Sequence, residues 1–503
     1  MAPFTLAQDR RAGLALLAVL MIALTLLRLI VRGGLGIDLH YDEAQYAVWS
    51  FSPDWGYYSK PPLVAWAIGA SRAFCGDTAF CVRLPSAIAF TLTPLLVYGI
   101  GRELWPRDKR IAWLGAGLFA LSPLVGFYSM FMTTDALLLL CWAAALLTLL
   151  LAIRRGGSWW LALGISLGLG LLAKYTMGIF AVSAALALIW IPRLRTLLAT
   201  PGPWTALFAA TVLFAPNIWW NAVNGFPTLH HTAEISQLDR AGAGLGGLVE
   251  FLAAQVVIFG PVAFVAAAFA VRRGLIAERL PADIGPGERA RIPPLRFLIC
   301  FTLPFLAIIA LQAGLSRAFA NWAAPTYVGA SLLAGYALLA TRMRWLVATS
   351  LVTAALITVL TYGHEAMARA IGWRLASPLS TLRGWAPLGD RIETLALQHG
   401  ARLVVDDRTL ASELGFYAGG VGRDLRVWNP EHRRNDHFRL TRDLADATAR
   451  QGTFLVISRH DIEPGLTTAF AGVTPLEAGF AMPAKRQPQV LHCWLARDFI
   501  GYP

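Results

Sequence analysis

The sequence predicts an all-α polytopic membrane protein that carries a small C-terminal α/β region outside the bilayer. Three observations predict it. The 503 residues are 56% hydrophobic and only 15% charged, with a mean hydropathy of +0.55, whereas a soluble globule carries more charge. Apolar runs of helix length recur between residues 14 and 362, separated by short basic turns. Beyond residue 363 the pattern changes to short strands and amphipathic helices, with 17 Lys and Arg against 15 Asp and Glu. A net charge of +13 can signal nucleic-acid binding, but its placement argues against that here: 26 of the 43 basic residues lie in the membrane half, mostly in short turns.

Taken in order, about eleven spans are expected, at 14–31, 86–101, 111–127, 136–153, 159–172, 177–191, 204–220, 248–271, 297–311, 322–339 and 345–362. The first run is long for a signal peptide and no small-residue cleavage site follows it, so an uncleaved helix is expected. Residues 63–74 are apolar on one side and too short to span, which suits a helix lying in the interface. Placing the N-terminus in the cytoplasm puts residues 102–110, 154–155, 192–195, 272–296 and 342–344 inside. With the N-terminus they hold 18 of the 26 basic residues of the membrane half, the positive-inside pattern. Residues 1–363 are then the membrane domain, with an outer loop at 32–85. Residues 364–503 form an extracytoplasmic α/β domain, with strands expected at 401–405, 454–457 and 490–495 and helices at 391–399 and 409–417.

The same alternation places four polar features outside: Asp42-Glu43 with Lys60, Asp135, Lys174, and Arg317. The stretch 40–62, HYDEAQYAVWSFSPDWGYYSKPP, is the densest of them. Its carboxylates lie among Tyr41, Tyr57, Tyr58 and other rings at an apolar boundary, a setting that tunes proton affinity for a general base. An acidic loop solvating the surface is the plain alternative. Pro61 holds the Lys60 backbone extended, so its ammonium suits a phosphate; a lysine snorkelling to headgroups is the alternative. Lys174 and Arg317 are further phosphate candidates, with Asn321 and Trp322 as pocket residues beside Arg317. Asp135 follows Thr133-Thr134 and can cap a helix, act in catalysis, or both. His230-His231 reads as a solvated pair, and no CxxC-type metal spacing occurs. Cys75 and Cys81 share the outer loop and become a candidate disulfide if that side is oxidising.

The acidic pair after the first helix, then GYYSKPPLVAW, then RLPSA, resembles the GT-C glycosyltransferases. Within them it is similar to the family 39, PMT-2-like group of protein O-mannosyltransferases and lipid A aminoarabinose transferases. The resemblance runs through Asp135, Lys174 and ANWAAP, to about residue 340. It implies a sugar donor on a polyprenyl phosphate such as undecaprenyl phosphate, and inverting transfer at the outer face of the bacterial inner membrane. The implied acceptor is lipid A, another envelope glycan or a protein. It also implies Asp42 as the catalytic acidic residue, Lys60 on the lipid phosphate and Asp135 as a second outer-loop aspartate. Family members differ on whether a divalent metal takes part, so metal dependence stays open. Two other classes compete. A flippase of lipid-linked sugar requires charges along a path through the membrane, whereas here they cluster outside. A non-catalytic scaffold would depend on its outer domain and not on Asp42.

Overall fold

The computed structural model describes residues 3–236, 244–277, 292–371, 379–447, 450–477, 479–483 and 489–502. The chain divides into two compact units, Met1–Ile30 with Leu84–His364, and Val31–Arg83 with Glu365–Pro503.

The first unit is built of helices. Six among the described residues are long and apolar enough to cross a bilayer: Arg11–Gly34, Ala79–Leu104, Thr134–Arg155, Pro201–Val223, Pro294–Leu315 and Arg344–Glu365. The chain is therefore a multi-pass membrane protein. Two bent pairs raise the number to eight if each is one span. The remaining expected runs fall short for local reasons. Trp159–Ala173 and Thr326–Ala340 have 15 residues each, about 22 Å of helix. The run at 111–127 breaks at Ser122, which caps a new turn that begins at Pro123.

The run at 248–271, expected as one span, is two helices. Gly244–Phe259 and Pro261–Ile276 meet at 107°. Gly260 sits at φ +95, where a side chain would be strained, and Pro261 opens the second helix. The stretch between the expected spans 204–220 and 248–271 contains a helix, Pro227–Ser236, with residues 237–243 outside the described chain; 278–291 of the basic loop 272–296 also lie outside it. The core gathers around Trp142, whose ring meets Phe180 at 5.1 Å and Phe305 at 5.2 Å, both edge-on.

The second unit has a five-stranded sheet, β1 (Arg402–Val405), β2 (Arg426–Val427), β3 (Thr453–Ser458), β4 (Phe470–Pro475) and β7 (His492–Phe499), in the order β2-β1-β3-β7-β4. A two-stranded ribbon pairs β5 (Ala481–Met482) with β6 (Gln489–Val490). β1 runs parallel to β2 and β3, while β7 is antiparallel to β3 and β4. Alternation along β1 and β3 divides the core. Leu403, Val405, Leu455 and Ile457 face one apolar cluster, and Val404, Phe454 and Val456 face the other.

The first cluster includes Val48, from the helix Tyr41–Trp49 of the first loop. Residues 31–83 pack as one body with 365–503, and Val48 shares its apolar cluster with Leu403 and Leu414. Leu39 N donates to the Tyr417 hydroxyl at 2.8 Å, and Asp38 accepts from Trp385 N at 2.8 Å. Asp38 thereby supplies the oxygen that Gly384, at the N-cap of helix Trp385–Gln398, lacks. Cys75 and Cys81 are joined as a disulfide.

Candidate active site

The first loop builds its site on one short helix, Tyr41–Trp49. His40 caps it: its Nδ1 accepts from Asp42 N at 3.2 Å, while its own backbone N–H donates to Glu43 Oε2 at 2.9 Å. Glu43 is buried, and both its oxygens also take Arg83, at 2.8 Å and 2.7 Å. Arg83 reaches on to the carbonyls of Ile37 and Asp38. Glu43 is thus enclosed in a capping box and a buried ion pair, an arrangement that anchors the helix.

Asp42, its neighbour, faces the other way. Its side chain is 37% exposed, and Oδ1 accepts from Arg408 Nη2 at 2.7 Å. Oδ2 lies 3.8 Å from His40 Nδ1. Arg408 also donates through Nε to Gln45, and its guanidinium lies 5.4 Å from the centre of the Tyr41 ring. The Asp42 carboxylate and partial burial raise the Tyr41 hydroxyl above its ordinary range. Arg408 is absent from the set of residues the sequence singled out. It is 366 positions from Asp42, and no local motif marks it.

Tyr57 and Tyr58, expected to line a pocket, are nearly fully buried. The Tyr57 ring stacks on Trp49 at 4.5 Å, and its hydroxyl donates to Trp49 O at 3.1 Å. His437 packs edge-on against both rings, and its Nδ1 accepts from Tyr58 N at 3.5 Å. Burial, with the Arg442 cation second, pushes His437 down to about 3, so it is a neutral ring at physiological pH. Tyr57 and Lys60 exchange backbone hydrogen bonds at 3.1 Å and 3.3 Å, a tight turn that fixes where the half-buried Lys60 starts. Two of the expected pocket rings therefore shape the loop from beneath.

The helical unit holds a second cluster. Asp135 lies in the first turn of Thr134–Arg155 and is buried. It is two residues past the N-cap, which falls on Thr133 without a side-chain bond. Its Oδ1 accepts from Lys174 Nζ at 2.6 Å and its Oδ2 from Asn321 Nδ2 at 2.8 Å. Lys174 ends helix Trp159–Ala173, and Asn321 sits in the 3-10 turn Ala320–Ala323. Three residues chosen separately from sequence thus meet. Arg317 is exposed over the Phe319 ring at 4.7 Å, and Trp322 meets that ring edge-on at 5.5 Å.

Among the described residues no group of three or more His, Cys, Asp or Glu is placed to hold a metal. His230 and His231 lie side by side on the helix Pro227–Ser236, about 100° apart around its axis.

Residues 59–220 match the family model described as dolichyl-phosphate-mannose-protein mannosyltransferase. Over 96% of this chain and 99% of the other, the fold superposes on ArnT from Cupriavidus metallidurans bound to undecaprenyl phosphate, with a TM-score of 0.65 and 16% identity. The chain has the GT-C fold. It is similar to the lipid A galacturonosyltransferase RgtD of Rhizobium johnstonii, 33% identical over 332 residues, which are 64% of this chain and 65% of that protein. An undecaprenyl phosphate-alpha-4-amino-4-deoxy-L-arabinose arabinosyl transferase of Pseudomonas aeruginosa is 30% identical over 176 residues, 33% of this chain and 31% of that protein. The chain thus spans under two thirds of either relative. The resemblance to the PMT-2-like group of protein O-mannosyltransferases and lipid A aminoarabinose transferases, read from the loop motif, holds.

Proposed function

We propose that this protein moves a sugar from a polyprenyl phosphate to a hydroxyl of lipid A or a related envelope glycan. The reaction takes place at the outer face of the inner membrane, with inversion. One observation carries the reading. Of the two adjacent loop carboxylates, Glu43 is buried with Arg83 on both oxygens, while Asp42 is about a third exposed, with Arg408 on Oδ1 and Oδ2 3.8 Å from His40 Nδ1. That is the form a general base needs. Asp42 takes the proton of the acceptor hydroxyl. The freed oxygen attacks the anomeric carbon from the face opposite the phosphate. The carbon–oxygen bond to the phosphate breaks, and polyprenyl phosphate leaves with the electron pair. Lys60 stabilises the charge growing on that phosphate, more in the transition state than in the bound donor. Names of relatives support the donor and the acceptor class.

The reading includes eleven passes, a cytoplasmic N-terminus and an extracytoplasmic C-terminal domain, supported by the basic residues of alternate turns. Tyr41 lines the reacting pocket beside Asp42. Asp135, Lys174 and Asn321 form a structural brace, and Arg317 and Trp322 meet the membrane surface or the donor phosphate.

The test is mass spectrometry of lipid A from a deletion strain complemented with wild type, Asp42→Asn or Lys60→Ala. Wild type restores one sugar mass, which identifies the sugar; Asp42→Asn restores none, and Lys60→Ala little. Full restoration by both variants sinks the reading. Movement of labelled lipid across vesicles without a covalent product would favour the flippase instead.

A further inference from the structure

The Asp42 carboxylate is not oriented by its own loop alone. Its shortest contact comes from Arg408, the first residue of helix Arg408–Tyr417 in the C-terminal segment. The root of Arg408 is itself fixed. Asp407 caps the helix, accepting from Thr409 N at 2.8 Å and Leu410 N at 3.1 Å, and Arg459 at the end of β3 holds Asp407 at 2.8 Å. The helix packs on Tyr41–Trp49 so closely that a Cβ on Gly415 would lie 2.9 Å from Val48 Cγ2. From that base the guanidinium meets three side chains of one helix face: Asp42, Gln45 three residues on, and the Tyr41 ring four residues before Gln45.

We infer that Arg408 is the positioning residue of the catalytic carboxylate, so that the C-terminal domain sets the aim of the base; the inference rests on Asp42 being that base. A carboxylate turns easily about its last torsion, which is broad and roughly two-fold. Arg408 on Oδ1, itself held by Gln45, stops that rotation and leaves Oδ2 facing the acceptor. An ion pair with both partners about a third exposed adds little to fold stability, so its contribution lies in geometry. Misplacing a reacting group by about 1 Å costs a rate factor on the order of 100.

The test uses the full-length protein in lipid nanodiscs and membranes of the deletion strain at matched abundance. It reads the initial rate of lipid A modification, the Kd for undecaprenyl phosphate and the thermal midpoint. Arg408→Ala is expected to lower the rate about 10- to 100-fold and to leave the Kd and the midpoint unchanged. Arg408→Lys keeps one N–H on Oδ1 but loses the Gln45 contact, and is expected to recover part of the rate. A wild-type rate in Arg408→Ala, with Asp42→Asn inactive, overturns the inference alone. So does an equal fall in rate and midpoint for both Arg408 variants, which would make the residue a strut. Wild-type activity in Asp42→Asn removes the base reading beneath it.

Discussion

Asp42 and Asp135 each accept a short hydrogen bond from a cation, yet their surroundings differ. Asp42 is 37% exposed, with Arg408 on one oxygen and the other 3.8 Å from a histidine ring. Asp135 has a side chain 7% exposed, with Lys174 on one oxygen and Asn321 on the other. The first side chain is partly exposed and has a hydrogen bond on one oxygen; the second is buried, with a hydrogen bond on each oxygen. A charge next to a carboxylate therefore does not by itself mark a reacting group; the second oxygen decides.

The largest expected effect follows from that contrast. A general base contributes about 10²–10⁴-fold to rate, so Asp42→Asn should remove most transfer activity. Its exposed pair is worth roughly 0–1 kcal/mol to the fold, so the thermal midpoint should barely move. A collapse in midpoint would show that the fold needs the Asp42 carboxylate, and the contrast would fail.

Lys174→Met should do the reverse. It leaves a buried, uncompensated carboxylate, a change that costs about 3–5 kcal/mol. Unfolding in detergent should come earlier, and Asp135→Asn in the same chain should restore part of the loss by removing the stranded charge. Normal stability with lost activity would instead place Lys174 among the donor contacts that the sequence suggested.

The helices and the loop motif were legible because apolar runs, basic turns and the DE-then-KPP order are local signals. The Gly260-Pro261 break was also written locally, but a continuous apolar run hides it from a hydropathy reading. Three things had no local signal. Arg408 reaches Asp42 across 366 residues. The membership of Val48 in the core of the C-terminal sheet depends on a fold, not a period. The commitment of Glu43 to Arg83 depends on a chain return 40 residues later. β2, β5 and β6 have two residues each, too short for alternation to register.

A smaller effect is expected where the loop closes on itself. The Cys75–Cys81 disulfide spans a sequence separation of 6, and closing so short a loop contributes about 2 kcal/mol in a chain-entropy account. Replacing both cysteines by serine should lower the midpoint modestly and leave transfer unchanged, because the pair makes no contact with Asp42 or Arg408 among the described residues. Lost transfer at an unchanged midpoint would extend the reacting region of the loop to residue 75.

His437 gives the finest test, because it lies beneath the loop and not in its open face. Its folded value, near 3, is below the ordinary 6.5. Between those values the unfolded chain binds a proton that the folded chain refuses, so stability should fall as pH drops below about 6.5, by up to about 1.4 kcal/mol per unit. Buried Glu413 has the opposite sign. Burial first, then the Glu43 and Asp38 carboxylates, raise it well above the ordinary range, so it weakens the fold as pH rises past that range. His437→Gln keeps an acceptor for Tyr58 N and cannot titrate. Midpoints of wild type and variant measured from pH 7.5 to pH 5 should run parallel above neutrality, with the variant falling less below it. Identical slopes on the acid side would mean that the ring is not held neutral between Trp49 and Tyr57, and that the base of the Asp42 loop is looser than its stacking implies.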